Sequence, residues 1–98
     1  MKHVTAEHLQ KINEINGTLS NRAEYFEKIA EITGAYVGAI RWNAYRVKGV
    51  VLAEHLVMEI ECKTIKGKLM IKYMNVRAFA HFEDSQAWKL EGTKLVGC

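Results

Sequence analysis

Residues 54–74, EHLVMEIECKTIKGKLMIKYM, constrain this chain more tightly than any other stretch. Apolar and polar residues alternate on both sides of Lys66-Gly67, the pattern of two half-buried strands joined by a two-residue turn. With that turn, Ile65 faces Lys68, Thr64 faces Leu69, Cys62 faces Ile71 and Ile60 faces Tyr73. Directly opposed residues share a face of a sheet. Leu56, Met58, Ile60, Cys62, Leu69, Ile71 and Tyr73 are therefore expected on the core side, and a slip of one residue would scatter them over both faces. The other row holds Glu59, Glu61, Lys63 and Ile65 on the first strand, and Lys68, Met70, Lys72 and Met74 on the second.

Two helical patterns precede this hairpin. In TAEHLQKINEING, Thr5 suits an N-cap, Glu7 lies in the first turn where the helix dipole favours an acid, and Gly17 is a natural stop. Leu9 and Ile12, followed by Ile15 or Asn16, recur at helical spacing. In SNRAEYFEKIAEITG, Asn21 and Glu24 have the spacing of a capping box. Tyr25, Phe26, Ile29 and Ile32 make one stripe, Glu24, Glu27, Lys28 and Glu31 the wet side, and Gly34 ends the helix. One long helix broken near Gly17 is the competing reading.

Beyond Gly34 the pattern changes. YVGAIRWNAYRV is rich in β-branched and aromatic residues and is expected to be a strand, because a helix would carry two glycines costing roughly 1 kcal/mol each. A two-residue turn at Lys48-Gly49 fails on parity, since it would put Arg41 opposite Leu56. A bulge or an extra loop residue near Val50 is needed to bring Trp42 into the core. RAFAHFEDSQAWKLEGTKLVGC predicts two more short strands, with a turn at EDSQ; a helix over Val76–Phe82 is the alternative. The expected fold is α+β: one domain over 1–98, with two helices over about 6–33 packed on a mostly antiparallel sheet of four or five strands over about 36–96.

Composition narrows the function classes. The 98 residues are 49% hydrophobic and 26% charged, enough apolar material for one core. There is no proline, so a polyproline ligand segment is not expected. The net charge of +3 is uneven: residues 1–33 carry four basic and five acidic groups, and 34–98 carry ten and six. That leaves an anionic partner open but is small beside a committed nucleic-acid binder. Cys62 and Cys98 are expected to be free thiols in a reducing compartment. No apolar stretch has the length of a membrane span, and MKHVTAEHLQ lacks the apolar core of a signal peptide. The expectation is a cytoplasmic protein with no membrane partner.

No catalytic or metal-binding constellation stands out. The four histidines and two cysteines form no CxxC, HxxxH or HExxH spacing, and no phosphate-cradling glycine motif occurs. No cofactor or metal is expected. His55 has the wrong parity to meet Cys62, and His81 could meet it only from a neighbouring strand. The basic stretch 62–77 is offset by Glu59 and Glu61, with Glu61 opposite Lys72, so its lysines are expected to be a solvated sheet face. A less compensated cluster, Arg41, Tyr45, Arg46 and Lys48, could hold a nucleic acid or a nucleotide.

These observations favour a non-enzymatic protein-interaction module, an adaptor or inhibitor of the phage or mobile-element kind, that forms homo-oligomers. Its expected contact residues are Val57, Ile65, Met70 and Met74, on the face opposite the core. Nucleic-acid or nucleotide binding at Arg41, Tyr45, Arg46 and Lys48 is the alternative. A small enzyme using His81 with Glu83 or Cys62 is the third reading.

Overall fold

Thr5 and Asn21 start the two helices, as their chemistry requires. In the computed structural model, which describes residues 4–34, 37–42, 47–51, 56–78 and 81–98, α1 spans Ala6–Ile15 and α2 spans Arg22–Thr33. The Thr5 side chain accepts from the His8 N–H at 3.1 Å, and His8 Nδ1 accepts in return from the Thr5 N–H. Asn21 takes the same role for α2 through the Glu24 N–H at 2.9 Å. Gly34 closes α2 in the left-handed region. Ile12 of α1 and Tyr25, Phe26, Ile29 and Ala30 of α2 are buried, while Glu27, Lys28 and Glu31 remain exposed.

Among the described residues six strands follow: β1 Val37–Trp42, β2 Val47–Val51, β3 Leu56–Ile65, β4 Lys68–Ala78, β5 His81–Glu91 and β6 Lys94–Gly97. They form one antiparallel sheet in chain order. The fold is α+β with the helices N-terminal. The expected strands include β1, after Gly34, as well as the hairpin strands β3 and β4, and β2 extends the sheet. The strand expected after Gly34 runs over Val37–Trp42; residues 43–46, including Tyr45 and Arg46, lie outside the described residues. Lys48 and Gly49 sit inside β2 rather than in a turn, and the β1–β2 register shifts between Val37 and Ala39, opposite Val51 and Val50. EDSQ is a correction. Its residues belong to β5, where the register with β4 shifts between His81 and Gln86, and the turn falls at Gly92-Thr93.

The hairpin turn is where the alternation put it. Lys66 (φ 52°) and Gly67 (φ 80°) are both left-handed, the requirement of a type I′ turn, whose right-handed twist matches its strands. Ile65, Thr64 and Cys62 face Lys68, Leu69 and Ile71. Beyond that the register shifts: Glu61, not Ile60, faces Tyr73, and Ile60 faces Met74. Lys72 is the extra residue of a β-bulge, and one extra residue exchanges the faces of everything after it. Tyr73 is therefore only half-buried, outside the buried core, whereas Met74 is fully buried. Met74 lies in one row with Ile60 and Trp88, both also buried. The expectation that Met74 is exposed is corrected by this bulge.

Lysine at a left-handed position carries strain that asparagine carries with less penalty. Replacing Lys66 by Asn should raise stability by about 1 kcal/mol, read as a higher urea midpoint at unchanged m-value. An unchanged or lower midpoint would show that the lysine side chain itself supports the turn.

Three carboxamides fasten α1 and the preceding chain to the sheet. Asn16 Oδ1 accepts from the Ile71 N–H at 2.7 Å, and its Nδ2 donates to the Ile71 carbonyl at 3.3 Å. Asn13 treats Leu95 likewise, at 2.8 and 3.5 Å. Gln86 of β5 does so for Val4, at 3.0 and 3.1 Å. Each amide presents the acceptor and donor that a neighbouring strand would present, and so satisfies the N–H and carbonyl of one residue, in β4 for Ile71, in β6 for Leu95 and ahead of α1 for Val4. The Tyr25 hydroxyl adds to this by donating to the Leu69 carbonyl and accepting from the Gly17 N–H.

Candidate interaction groove

The pairing of β4 with β5 ends at Tyr73 and Lys89, yet β4 continues back to Lys68 and β5 on to Glu91. The two hairpin tips thus part, and α1 closes the space between them on one side. The result is an open groove of about 1050 Å³. Leu9, Asn13 and Glu14 border it from α1, Ile65, Lys68 and Met70 from the first hairpin, and Thr93 and Lys94 from the second.

Its apolar part comes from Leu9, Ile65 and Met70, all half-buried. Met70 packs close to the loop after α1: a Cβ on Gly17 would lie 2.7 Å from its sulfur. Gly17, at φ 87°, thereby allows both the left-handed loop and the approach of β4. The rim is basic. Lys66, Lys68 and Lys94 are exposed and border the groove, against one carboxylate among the described residues, Glu14. Among the described residues none of these three lysines forms an ion pair; the pairs present are Lys11–Glu7, Lys28–Glu31, Lys72–Glu61 and Lys89–Glu91.

The contact residues expected from the sequence do not form one patch. Ile65 and Met70 come together in the groove, beside α1 rather than on an open face away from the helices. Met74 belongs to the core. Val57 sits between Val50 and Arg77 in the register, eight positions along β3 from Ile65 and so roughly 25 Å away. Lys68, expected on a merely solvated face, lines the groove, while Lys72 does make the expected pair with Glu61, at 3.8 Å. The contributions of Leu9, Asn13 and Lys94 were not anticipated. The sequence signal for Lys94 was present in EGTK, a second turn with a following lysine.

The alternative anion site is described only in part. Arg41 pairs with Lys48 across β1 and β2, and Lys48 with Glu59 across β2 and β3. An acidic residue thus occupies the next register position beside the two cations. Tyr45 and Arg46 lie outside the described residues.

For catalysis, the register keeps Cys62 and His81 apart. His81 pairs with Ala78, which pairs with Leu56, and Leu56 is six positions from Cys62, roughly 20 Å along the strand. Cys62 is half-buried against the core. Burial pushes its thiol up from the ordinary value, while Arg22 beside it pulls the other way. An elevated thiol is a poor nucleophile near neutral pH. Cys98 is exposed. Among the described residues no three His, Cys, Asp or Glu side chains converge on a point that could hold a metal, and no helix is long and apolar enough to cross a membrane. No protein-family model, curated protein or solved structure matches the chain.

Proposed function

We propose that this chain is a non-enzymatic protein-interaction module, an adaptor or an inhibitor, and that the groove between α1 and the two hairpin tips is its contact surface. The observation that carries the reading is the groove's composition. Half-buried Leu9, Ile65 and Met70 offer apolar surface that a partner can finish burying, inside a rim of lysines that form no ion pair with a described residue. Apolar centre and polar rim is the anatomy of protein interfaces, and methionine adapts its shape to what it meets. At about 1050 Å³ the groove lies at the upper end of small-ligand pockets, which suits a peptide segment, and among the described residues lining it no acid and base form a pair.

The test is Ile65→Glu with Met70→Glu, in the full chain. Both side chains are half-buried at the groove, so the double variant should fold with a melting temperature near that of wild type. Proteins that co-purify with the wild-type chain from its own cells should be lost from the variant. A folded variant that retains every partner would remove the groove from consideration. Sedimentation of both proteins reports in the same samples whether the chain self-associates and whether the groove is responsible.

The nucleic-acid reading has less support. Its cluster has Glu59 next in register, and few uncompensated cations mean few counterions released on binding.

A further inference from the structure

We infer that the groove's occupant is an acidic segment of a partner protein, one that carries carboxylates on both sides of an apolar anchor residue. This rests on the groove being the contact surface and adds the chemistry of what fills it. Two observations independent of its apolar wall point to an acidic segment.

The first is charge. Lys66 and Lys68 stand at one hairpin tip and Lys94 at the other, facing a groove whose single lining carboxylate among the described residues is Glu14. None of the three forms an ion pair with a described residue, although Glu91 lies opposite Lys94 in the register; among the described residues four other lysines do form ion pairs. Cations on both banks fit a ligand with acids on both sides of its centre, and Leu9, Ile65 and Met70 receive what lies between. The arrangement disfavours a basic segment by like-charge repulsion, which is how charged rims select partners.

The second is the identity of residue 66. Its backbone is left-handed at φ 52°, where glycine or asparagine would serve the turn with less strain. A lysine held in an unfavourable conformation on the rim of a groove is the kind of local compromise that functional positions show. Its ammonium group is what the turn alone would not select.

The rim lysines are exposed, so each contact adds little affinity. The charge contribution appears mainly as selectivity, association rate and salt dependence, and the apolar anchor supplies the holding energy.

The experiment pans a random dodecapeptide library, displayed on phage, against the wild-type chain and against Lys66→Gln/Lys68→Gln/Lys94→Gln. These substitutions are at exposed positions and should leave the thermal melt unchanged. Peptides enriched on wild type are then measured by fluorescence anisotropy, alongside a single-stranded twenty-nucleotide oligo-dT. The expected result is enrichment of Asp and Glu around a Leu, Met or aromatic residue. Binding should weaken roughly tenfold or more in the triple variant, weaken again as salt rises, and fail in Ile65→Glu/Met70→Glu. Peptides that bind the groove without acids, or equally well to the triple variant, would overturn the acidic partner and leave the interaction module standing. Peptides indifferent to Ile65→Glu/Met70→Glu, or no enrichment at all, would count against the groove and the inference together. Tighter binding of the oligonucleotide than of any peptide, lost in the triple variant, would replace the acidic segment by a nucleic acid. Lysine-dependent self-association that blocks the peptides would replace it by a second copy.

Discussion

Met74→Glu should unfold this protein, and Met70→Glu should not. The two methionines lie four positions apart on one strand, and a regular strand would give them the same face. The bulge at Lys72 separates their fates. Met74 has no exposure and lies in a row between Ile60 and Trp88, both buried. A glutamate there loses the packing of the thioether, about 2–5 kcal/mol for a large core truncation. It must also bury a carboxyl group with no partner in place, which adds about 1–3 kcal/mol even in the neutral form. A chain of this length has about 5–15 kcal/mol of total stability, so the sum removes most or all of it. Circular dichroism at 25 °C should show loss of the folded signal for Met74→Glu. For Met70→Glu, half-buried at the groove, it should show a native spectrum and a melt within a few degrees of wild type. Equal behaviour of the two variants, either way, would place the bulge elsewhere. Met74→Leu separates polarity from shape, since volume-conserving apolar exchanges cost less than about 1.5 kcal/mol.

The same bulge marks how far the sequence could be followed. Alternation around Lys66-Gly67 located the turn, the four pairs nearest it, and the burial of Met58, Ile60 and Ile71. It could not locate an extra residue in β4. IKYM reads equally well as an unbroken strand with Tyr73 inside, and what decides is the fit of Met74 beside Trp88, a contact between strands fourteen residues apart. The helices were legible because their signals are local: Thr5 and Asn21 cap through neighbours three positions away. EDSQ misled because it has turn composition, yet its residues belong to a strand whose register with β4 shifts there. The groove was the least legible feature. Ile65 and Met70 stood out as apolar residues on the wrong row, but Leu9, Asn13 and Lys94 join them only through the splay of two hairpins and the docking of α1. None of those is written in any one segment.

The docking of α1 yields the second large effect. Asn16→Ala should cost about 2–3 kcal/mol, because it leaves both the N–H and the carbonyl of Ile71 without the amide that now satisfies them. Water reaches this site only in part, since Asn16 is half-buried and Ile71 fully so. The stretch of β4 below Tyr73 has no β5 neighbour, and Asn16 with the Tyr25 hydroxyl stands in for the missing strand. Removing the amide therefore also opens an unpaired edge, the feature that invites pairing with another chain. Urea unfolding should show the lower midpoint, and light scattering should show association rising with protein concentration in the variant alone. Asn13→Ala is the control: it frees the corresponding groups of Leu95, but one of its two bonds is already long at 3.5 Å, so its penalty should be smaller. Asn16→Asp sharpens the test. It keeps the acceptor for the Ile71 N–H at 2.7 Å but sets a carboxylate oxygen against the Ile71 carbonyl, and it should be no better tolerated than alanine. A loss below about 0.5 kcal/mol for Asn16→Ala, within the range of an ordinary surface substitution, would mean that solvent replaces the amide and that α1 is held by Ile12 and its apolar neighbours alone. The edge would then be guarded by Tyr25, and Tyr25→Phe in place of Asn16→Ala would be the variant that associates.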